Sequence, residues 1–268
     1  MSLTLRYGVR TERGPVRADN QDSAYVATRL VAIADGMGGM AAGDLASRLV
    51  IGAVAAMAGD LAPDGAADVG EELVARLRAA ASEGNRLIAA EVAENPGLRG
   101  MGTTLTALLV AEDKIGMVHV GDSRAYRLRD GELTQITKDD TYVQVLVDEG
   151  CITREEAATH PQRSAVTRAL QGNPVEPRFS VRPAVTGDRY LLCSDGVSDF
   201  LDTATITAKL SGYAEPQAAA DHLVAAALDA GATDNVTAII ADVVAGETPD
   251  QHPRILGAAA VKTAGSPG

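Results

Sequence analysis

The sequence predicts an α+β fold built on antiparallel sheets. Three observations carry this. Strand-like runs follow one another without helices between them, as in "TTLTALLVAEDKIGMVHVGDSRAYRLRDGELTQIT". Turn signals at "EDK", "GDS" and "RDGE" separate those runs by the short spans that antiparallel neighbours need. Helix-like segments cluster instead of alternating strictly with strands.

In chain order, "LTLRYGVRT" and "DSAYVATRLVAIAD" read as strands, joined by the polar, Gly/Pro-containing "ERGPVRADNQ". Residues 41–58 are Ala-rich and helix-like. Residues 67–94 space Leu73, Leu77, Ala80, Ala81, Leu87, Ile88 and Val92 as an amphipathic helix does. The run of antiparallel strands follows from Thr103. Between Lys138 and Leu170 the pattern breaks into short helical pieces and loops. Strands return at "RFSVRPAV" and "DRYLLCSD", helices are expected near 203–211 and 216–230, and "NVTAIIADVV" closes the domain. Residues 1–244 thus form one domain. Residues 245–268 carry little pattern and read as a tail or linker, disordered or loosely packed.

Composition narrows the function. The 268 residues are 46% hydrophobic, enough for a sizeable core, and with no Trp and two Phe that core is built from Ala, Val, Leu and Ile. A formal net charge of -12 argues against nucleic acid as a partner and is compatible with cation binding. Cys151 and Cys193 form no disulfide framework. With no apolar run of membrane-spanning length and no signal-peptide core, the segment reads as cytoplasmic and free of membrane contact. A membrane anchor beyond residue 268 stays compatible with this reading.

Four aspartates occupy equivalent places. Asp35 follows "LVAIA", Asp122 follows "MVHVG", Asp195 follows "YLLCS", and Asp234 precedes "NVTAII". Any one of them reads equally as a turn residue or helix cap. Together they predict strand ends that converge on an acidic cavity. Such a cavity calls for cations. Oxygen donors without zinc-type His or Cys spacing favour Mg²⁺ or Mn²⁺. Asp35 can bridge two ions. The glycines of "ADGMGG" are expected to let the backbone bend and bring the Gly36 carbonyl to a metal.

The motifs "VRADNQD" (16–22), "ADGMGG" (34–39), "GMGTTLTALLV" (100–110), "VHVGDSRAYRLRDGEL" (118–133), "SDGVSD" (194–199) and "TDNVTAII" (233–240) occur in this order. The chain therefore resembles the metal-dependent (PPM, type 2C) serine/threonine protein phosphatases. It is most similar to bacterial members found beside serine/threonine kinases, the mycobacterial and actinobacterial ones above all. The resemblance spans roughly residues 3 to 244. It implies a four-layer αββα sandwich, two antiparallel β-sheets flanked by helix pairs, with a binuclear Mn²⁺ or Mg²⁺ centre at one end. A metal-activated water attacks the phosphorus of phosphoserine or phosphothreonine in phosphoproteins, kinases among them.

The resemblance also implies the site residues. Asp35 bridges both metals, Gly36 offers its carbonyl, and Asp195 and Asp234 ligate one of them. Asp122, with Asp195, holds a third, weaker ion, and Ser164 in the flap lies near it. Arg17 binds the substrate phosphate, and Asp22 supports the ligands from behind. Two departures from the family pattern stand out. Gln21 occupies a place where many members carry glutamate. Met37 replaces the histidine of animal members, so water on the third ion, held by Asp122, is the proton source that the sequence offers. The chain is expected to be a monomer. A non-catalytic member of the same fold is the alternative, weakened because all four aspartates are present. A nucleotide-binding P-loop fails, because "DGMGG" lacks the Lys-Ser/Thr pair.

Overall fold

The computed structural model describes residues 3–38, 42–58, 68–246 and 251–260. Its layers follow from two-residue alternation along the strands. In strand β1 (Leu3–Glu12), Leu3, Leu5, Tyr7 and Val9 are buried on one face. Strand β11 (Val236–Ala245) sends Ile239, Ala241 and Val243 into that same core, and Val236, Ala238 and Ile240 into another. Strand β3 (Leu30–Met37) divides likewise, Val31 and Ile33 to the shared core, Leu30, Ala32 and Ala34 outward. Each sheet therefore needs cover on two faces: the other sheet on one, helices on the other.

Helices α1 (Gly43–Ala58) and α2 (Val69–Glu94) cover one sheet through Val50, Ile51, Leu73, Leu77 and Ile88. Helices α5 (Asp195–Ser198), α6 (Thr203–Gly212) and α7 (Pro216–Asp229) cover the other, with Val197, Leu210, Leu223 and Val224 inside. The remaining strands are β2 (Asp22–Val26), β4 (Gly102–Thr103), β5 (Leu105–Ala111), β6 (Lys114–Val120), β7 (Arg124–Arg129), β8 (Glu132–Gln135), β9 (Arg178–Pro183), β10 (Arg189–Cys193) and β12 (Arg254–Gly257). One sheet runs β1-β11-β10-β7-β8, the other β12-β2-β3-β5-β6-β9, with β4 pairing with β3. Every pairing between these strands is antiparallel. The four-layer αββα expectation holds.

Local chemistry accounts for the turns and short helices. Asp130 and Gly131 between β7 and β8 both take positive φ, 52° and 81°, as a two-residue hairpin turn requires. In the flap, helix α3 (Tyr142–Asp148) is capped by Thr141. Helix α4 (Arg154–Ala158) is held by a reciprocal cap between Thr153 and Glu156. His119 is structural: Nδ1 lies 2.9 Å from Thr106 Oγ1 and Nε2 lies 3.0 Å from the Lys138 carbonyl. Cys193 is a buried core residue. Among the described residues no helix is long and apolar enough to cross a membrane.

The structure departs from the sequence reading in three places. Residues 245–268 are not all tail, because β12 pairs with β2 along Arg254↔Val26 to Gly257↔Ser23. Four residues show no periodicity, so this strand was invisible; residues 247–250 and 261–268 lie outside the described part. Helix α5, a single turn, was not anticipated. Strand β3 runs on past Asp35 through Gly36 to Met37 instead of ending at Asp35, because β4 pairs with Gly36 and Met37.

Packing of α7 on β1 depends on Gly8. A Cβ there would lie 2.2 Å from the Gln217 nitrogen and 2.4 Å from the Pro216 carbonyl carbon. Both are backbone atoms and cannot swing aside. Gly8→Ala is expected to destabilise the fold by about 1–3 kcal/mol or more, read as a lower urea midpoint.

Candidate metal centre

Asp22 and Asp35 face each other across the β2–β3 ladder. Like charges directly opposite on neighbouring strands repel, and here one is wholly buried. Asp22 is 0% exposed. Its Oδ2 accepts from Ser194 Oγ at 2.9 Å and Thr237 Oγ1 at 2.6 Å, whereas Oδ1 has no hydrogen-bond partner among the described residues. Burial, opposed by those two hydroxyls and assisted by the charge of Asp234, pushes the Asp22 carboxyl up to about 6. Ser194 precedes Asp195 and Thr237 follows Asp234, so this one carboxylate ties β2 to the strands that deliver both.

The backbone of Asp35 is fully engaged. Its N–H donates to Thr104 Oγ1 at 2.9 Å, and its carbonyl accepts from the Thr104 N–H at 2.9 Å and Thr103 Oγ1 at 2.8 Å. Burial, then the charges of Asp22, Asp195, Asp122 and Asp234, hold its carboxyl well above the usual aspartate value. Asp195 opens helix α5 and is raised likewise, by burial and then by Asp122 and Asp234. Asp122 sits in the turn after β6, 9% exposed; burial and the charge of Asp139 push it up to about 7. Each aspartate singled out in the sequence thus acts electrostatically on others of the set.

Arg17 lies in the loop between β1 and β2. Its Nη2 donates to Asp234 Oδ2 at 2.5 Å. That bond, with further attraction from Asp195 and Asp35, raises its pKa. Arg17 therefore stands at the edge of the cluster, its side chain about half exposed. The other Asp234 oxygen accepts from the Asn235 N–H at 2.7 Å. Gly36 has a different reason to be glycine than expected. A Cβ there would lie 2.1 Å from the carbonyl oxygen of Gly43, the first residue of α1.

A cleft of about 620 Å³ opens beside the cluster. Asp122, Asp195, Asp199, Arg163 and Ser164 line it; Asp35 and Asp234 do not. Ser164 is exposed, and the flap helices α3 and α4 form the far wall. Among the described residues no three carboxylate, imidazole or thiolate side chains form a finished metal cage. Asp35 and Asp195 nonetheless lie within range of one another's charge and of those of Asp122 and Asp234. An ion held there would need backbone or water oxygens to complete its shell, as hard divalent cations commonly have.

Residues that the sequence reading assigned no role also shape the site. Asn235 is 4% exposed; its Nδ2 donates to the carbonyls of Arg13 (2.8 Å) and Asp19 (3.0 Å), and its Oδ1 accepts from the Gln21 N–H (2.8 Å). It holds the Arg17 loop at both ends. Arg124 does not pair with its neighbour Asp122; its fork grips Asp139, with Nη2 2.7 Å from Oδ2. Asp140 anchors the flap base. It accepts from the Gly121 N–H at 3.1 Å, and both Arg168 and Arg178 come within 2.7 Å. The signal for Asn235 was its place in "TDNVTAII"; Asp139 and Asp140 gave none.

Residues 12–230 match the family described as Protein phosphatase 2C. The chain belongs to this family. It is 54% identical over 258 residues to the serine/threonine protein phosphatase PstP of Mycobacterium tuberculosis, covering 96% of this chain and 49% of that protein. The chain thus spans about half the length of that relative. The crystal structure of the M. tuberculosis serine/threonine phosphatase PstP superposes with a TM-score of 0.84 at 56% identity, covering 89% of this chain and 98% of that one. The catalytic domain of PstP in complex with two manganese ions superposes with a TM-score of 0.81 at 53% identity, over 90% and 99% of the two chains.

The raised carboxyls fix the sign of a pH effect. Asp22 and Asp122 keep their protons to about 6 and about 7 when folded, against 3.8 ordinarily. The folded state therefore binds more protons across that window. Their contribution to stability is complete below 3.8 and is lost as pH rises through about 6 and about 7. With a chelator present, the urea midpoint is expected to be lower at about pH 8 than at about pH 5. Asp122→Asn is expected to flatten that difference.

Proposed function

We propose that this chain is a Mn²⁺- or Mg²⁺-dependent phosphoprotein phosphatase acting on phosphoserine and phosphothreonine. The observation that carries the reading is the Arg17 guanidinium bonded to Asp234 within a set of mutually repelling aspartates, Asp22 and Asp122 buried and Asp35, Asp195 and Asp234 half-buried. A phosphomonoester dianion needs both a planar cationic fork and compensated charge close by. Asp35, the Gly36 carbonyl, Asp195 and Asp234 would hold two ions, and Asp122, Asp195 and Ser164 a third. The unpartnered Asp22 Oδ1 and the raised carboxyls of Asp35 and Asp195 fit such ions. When bound, divalent ions lower the pKa of coordinated water and offset charge on phosphoryl oxygens.

The chain's own residues supply the rest. Arg17 orients the phosphoryl group, with Asn235 fixing the loop that carries it. Asp22, through Ser194 and Thr237, holds the strand ends of both sheets at one spacing. The flap wall around Ser164 and Arg163 bounds the cleft and is the natural place for peptide to lie. Met37 carries no proton to give, so the leaving oxygen must take its proton from another group. Phosphorylated proteins, serine/threonine kinases among them, are the partners this chemistry fits. A cytoplasmic monomer is part of this proposal.

Phosphate release from a phosphothreonine peptide, with Mn²⁺ and with a chelator control, tests the reading. Metal-dependent turnover is expected for the native chain. Asp35→Asn is expected to abolish it while the urea transition stays cooperative; near-normal kcat in that variant would refute the binuclear assignment. Arg17→Ala is expected to raise KM by an amount worth about 1.5–3 kcal/mol, the scale of a charge-assisted hydrogen bond. Unchanged kinetics would return Arg17 to the surface.

A further inference from the structure

We propose that residues 251–260 form a clasp that holds the metal centre in register, with Gly257 as its positioning residue. This rests on the aspartate cluster being a metal centre. The segment touches both sheets at the open edge of the sandwich. On the first sheet, the Tyr7 N–H of edge strand β1 donates to Gln251 Oε1 at 2.9 Å, and Gln251 Nε2 donates back to the Tyr7 carbonyl at 2.7 Å. The Tyr7 hydroxyl donates to the His252 carbonyl at 2.6 Å. On the second sheet, β12 pairs with β2. Leu256 packs against the core between the sheets, and Ala259 is buried in the core beneath α1.

The clasp ends on Asp22. The Ala258 N–H donates to the Asp22 carbonyl at 2.7 Å. Gly257 has φ +73°, and a Cβ there would lie 2.0 Å from the same carbonyl oxygen. Only glycine permits both this conformation and this approach. Strand β2 has five residues and β3 on its inner side. Without β12 it would be a short edge strand, the kind that opens locally at little cost. Its first residue is Asp22, whose carboxylate meets Ser194 and Thr237 and stands opposite Asp35. The clasp therefore acts on the metal donors through Asp22, without touching them.

The test uses the full chain with two substitutions. Gly257→Val disrupts the contact on Asp22, and Gln251→Ala loosens the far end without backbone strain. Hydrogen exchange of β2 amides is measured with chelator, and Mn²⁺ binding by calorimetry on protein that still unfolds in one urea transition. Faster exchange in β2 together with a fall in Mn²⁺ affinity of about 10–100-fold, the range for residues that support ligands, is the expected result, larger for Gly257→Val. Unchanged β2 exchange, or Mn²⁺ affinity equal to the native chain despite a lowered urea midpoint, would overturn the proposal and leave a merely structural strand. A native chain that binds no Mn²⁺ would refute the metal-centre reading, and the clasp's role with it.

Discussion

One buried carboxylate connects the two sheets at the site. Over most of their area the sheets meet through apolar contact, which sets distance but tolerates sliding. At Asp22 the joint is directional. Its Oδ2 accepts hydrogen bonds from the Ser194 hydroxyl on one side and the Thr237 hydroxyl on the other. Ser194 Oγ in turn accepts from the Thr237 N–H at 3.0 Å, and Thr237 Oγ1 lies 2.7 Å from Thr11 Oγ1, which accepts from Asn20 Nδ2 at 2.8 Å. The network fixes β1, β2, β10 and β11 relative to one another where Asp195 and Asp234 emerge. A buried polar network of this kind specifies geometry more than it adds stability.

The same choice of residue creates a conflict. Asp35 and Asp195 lie within reach of other carboxylates, and for both the largest influences after burial are those carboxylates. A sequence selected for stability alone would place a base among them. Here the nearest cations are committed or peripheral. Arg124 is turned to Asp139, and Arg17 meets the set only at Asp234, from an exposed loop. The repulsion persists because the surrounding strands are over-determined, by three cores and a continuous ladder on each sheet. Local strain of this electrostatic kind is the property a divalent-cation site requires, since affinity comes from relieving it.

Much of this was legible in the sequence, for identifiable reasons. Long alternating strands such as β1 and β11 and the long helix α2 carry periodicity over enough residues to be read. The aspartates were legible by position, at the margins of apolar runs, and the shared margin of both sheets brought them together. What was not legible is what arises only between distant segments. Arg124 turns from Asp122 to Asp139 because the flap base returns there, and no local pattern records that. Strand β12 is four residues long and acquires its strand character from the β2 edge it covers. Asn235 looks like part of a turn until the Arg17 loop closes over it.

The glycines after Asp35 show how a correct question can have a different physical answer. The expectation was backbone flexibility and room for a metal. Gly38 does take φ +124°, a conformation side chains resist. Gly36 does not; it lies in regular strand, where any residue could follow the backbone path. What excludes a side chain there is the start of α1. Gly43 meets Gly36 backbone to backbone, and a Cβ on Gly43 would in turn lie 2.7 Å from the Gly36 carbonyl carbon and from Gln21 Oε1. Helix α1 thus seats directly on the strand, and Ser47, one turn in, donates to the Gln21 carbonyl at 2.6 Å. Contact this close transmits the position of the helix to β3 with little slack. Asp35, one residue earlier, is therefore held by the α1 layer through its neighbour and by the other sheet through Asp22. The carboxylate proposed to meet ions is fixed here from both faces of its strand, and the two glycines are what allow the outer face to come near enough.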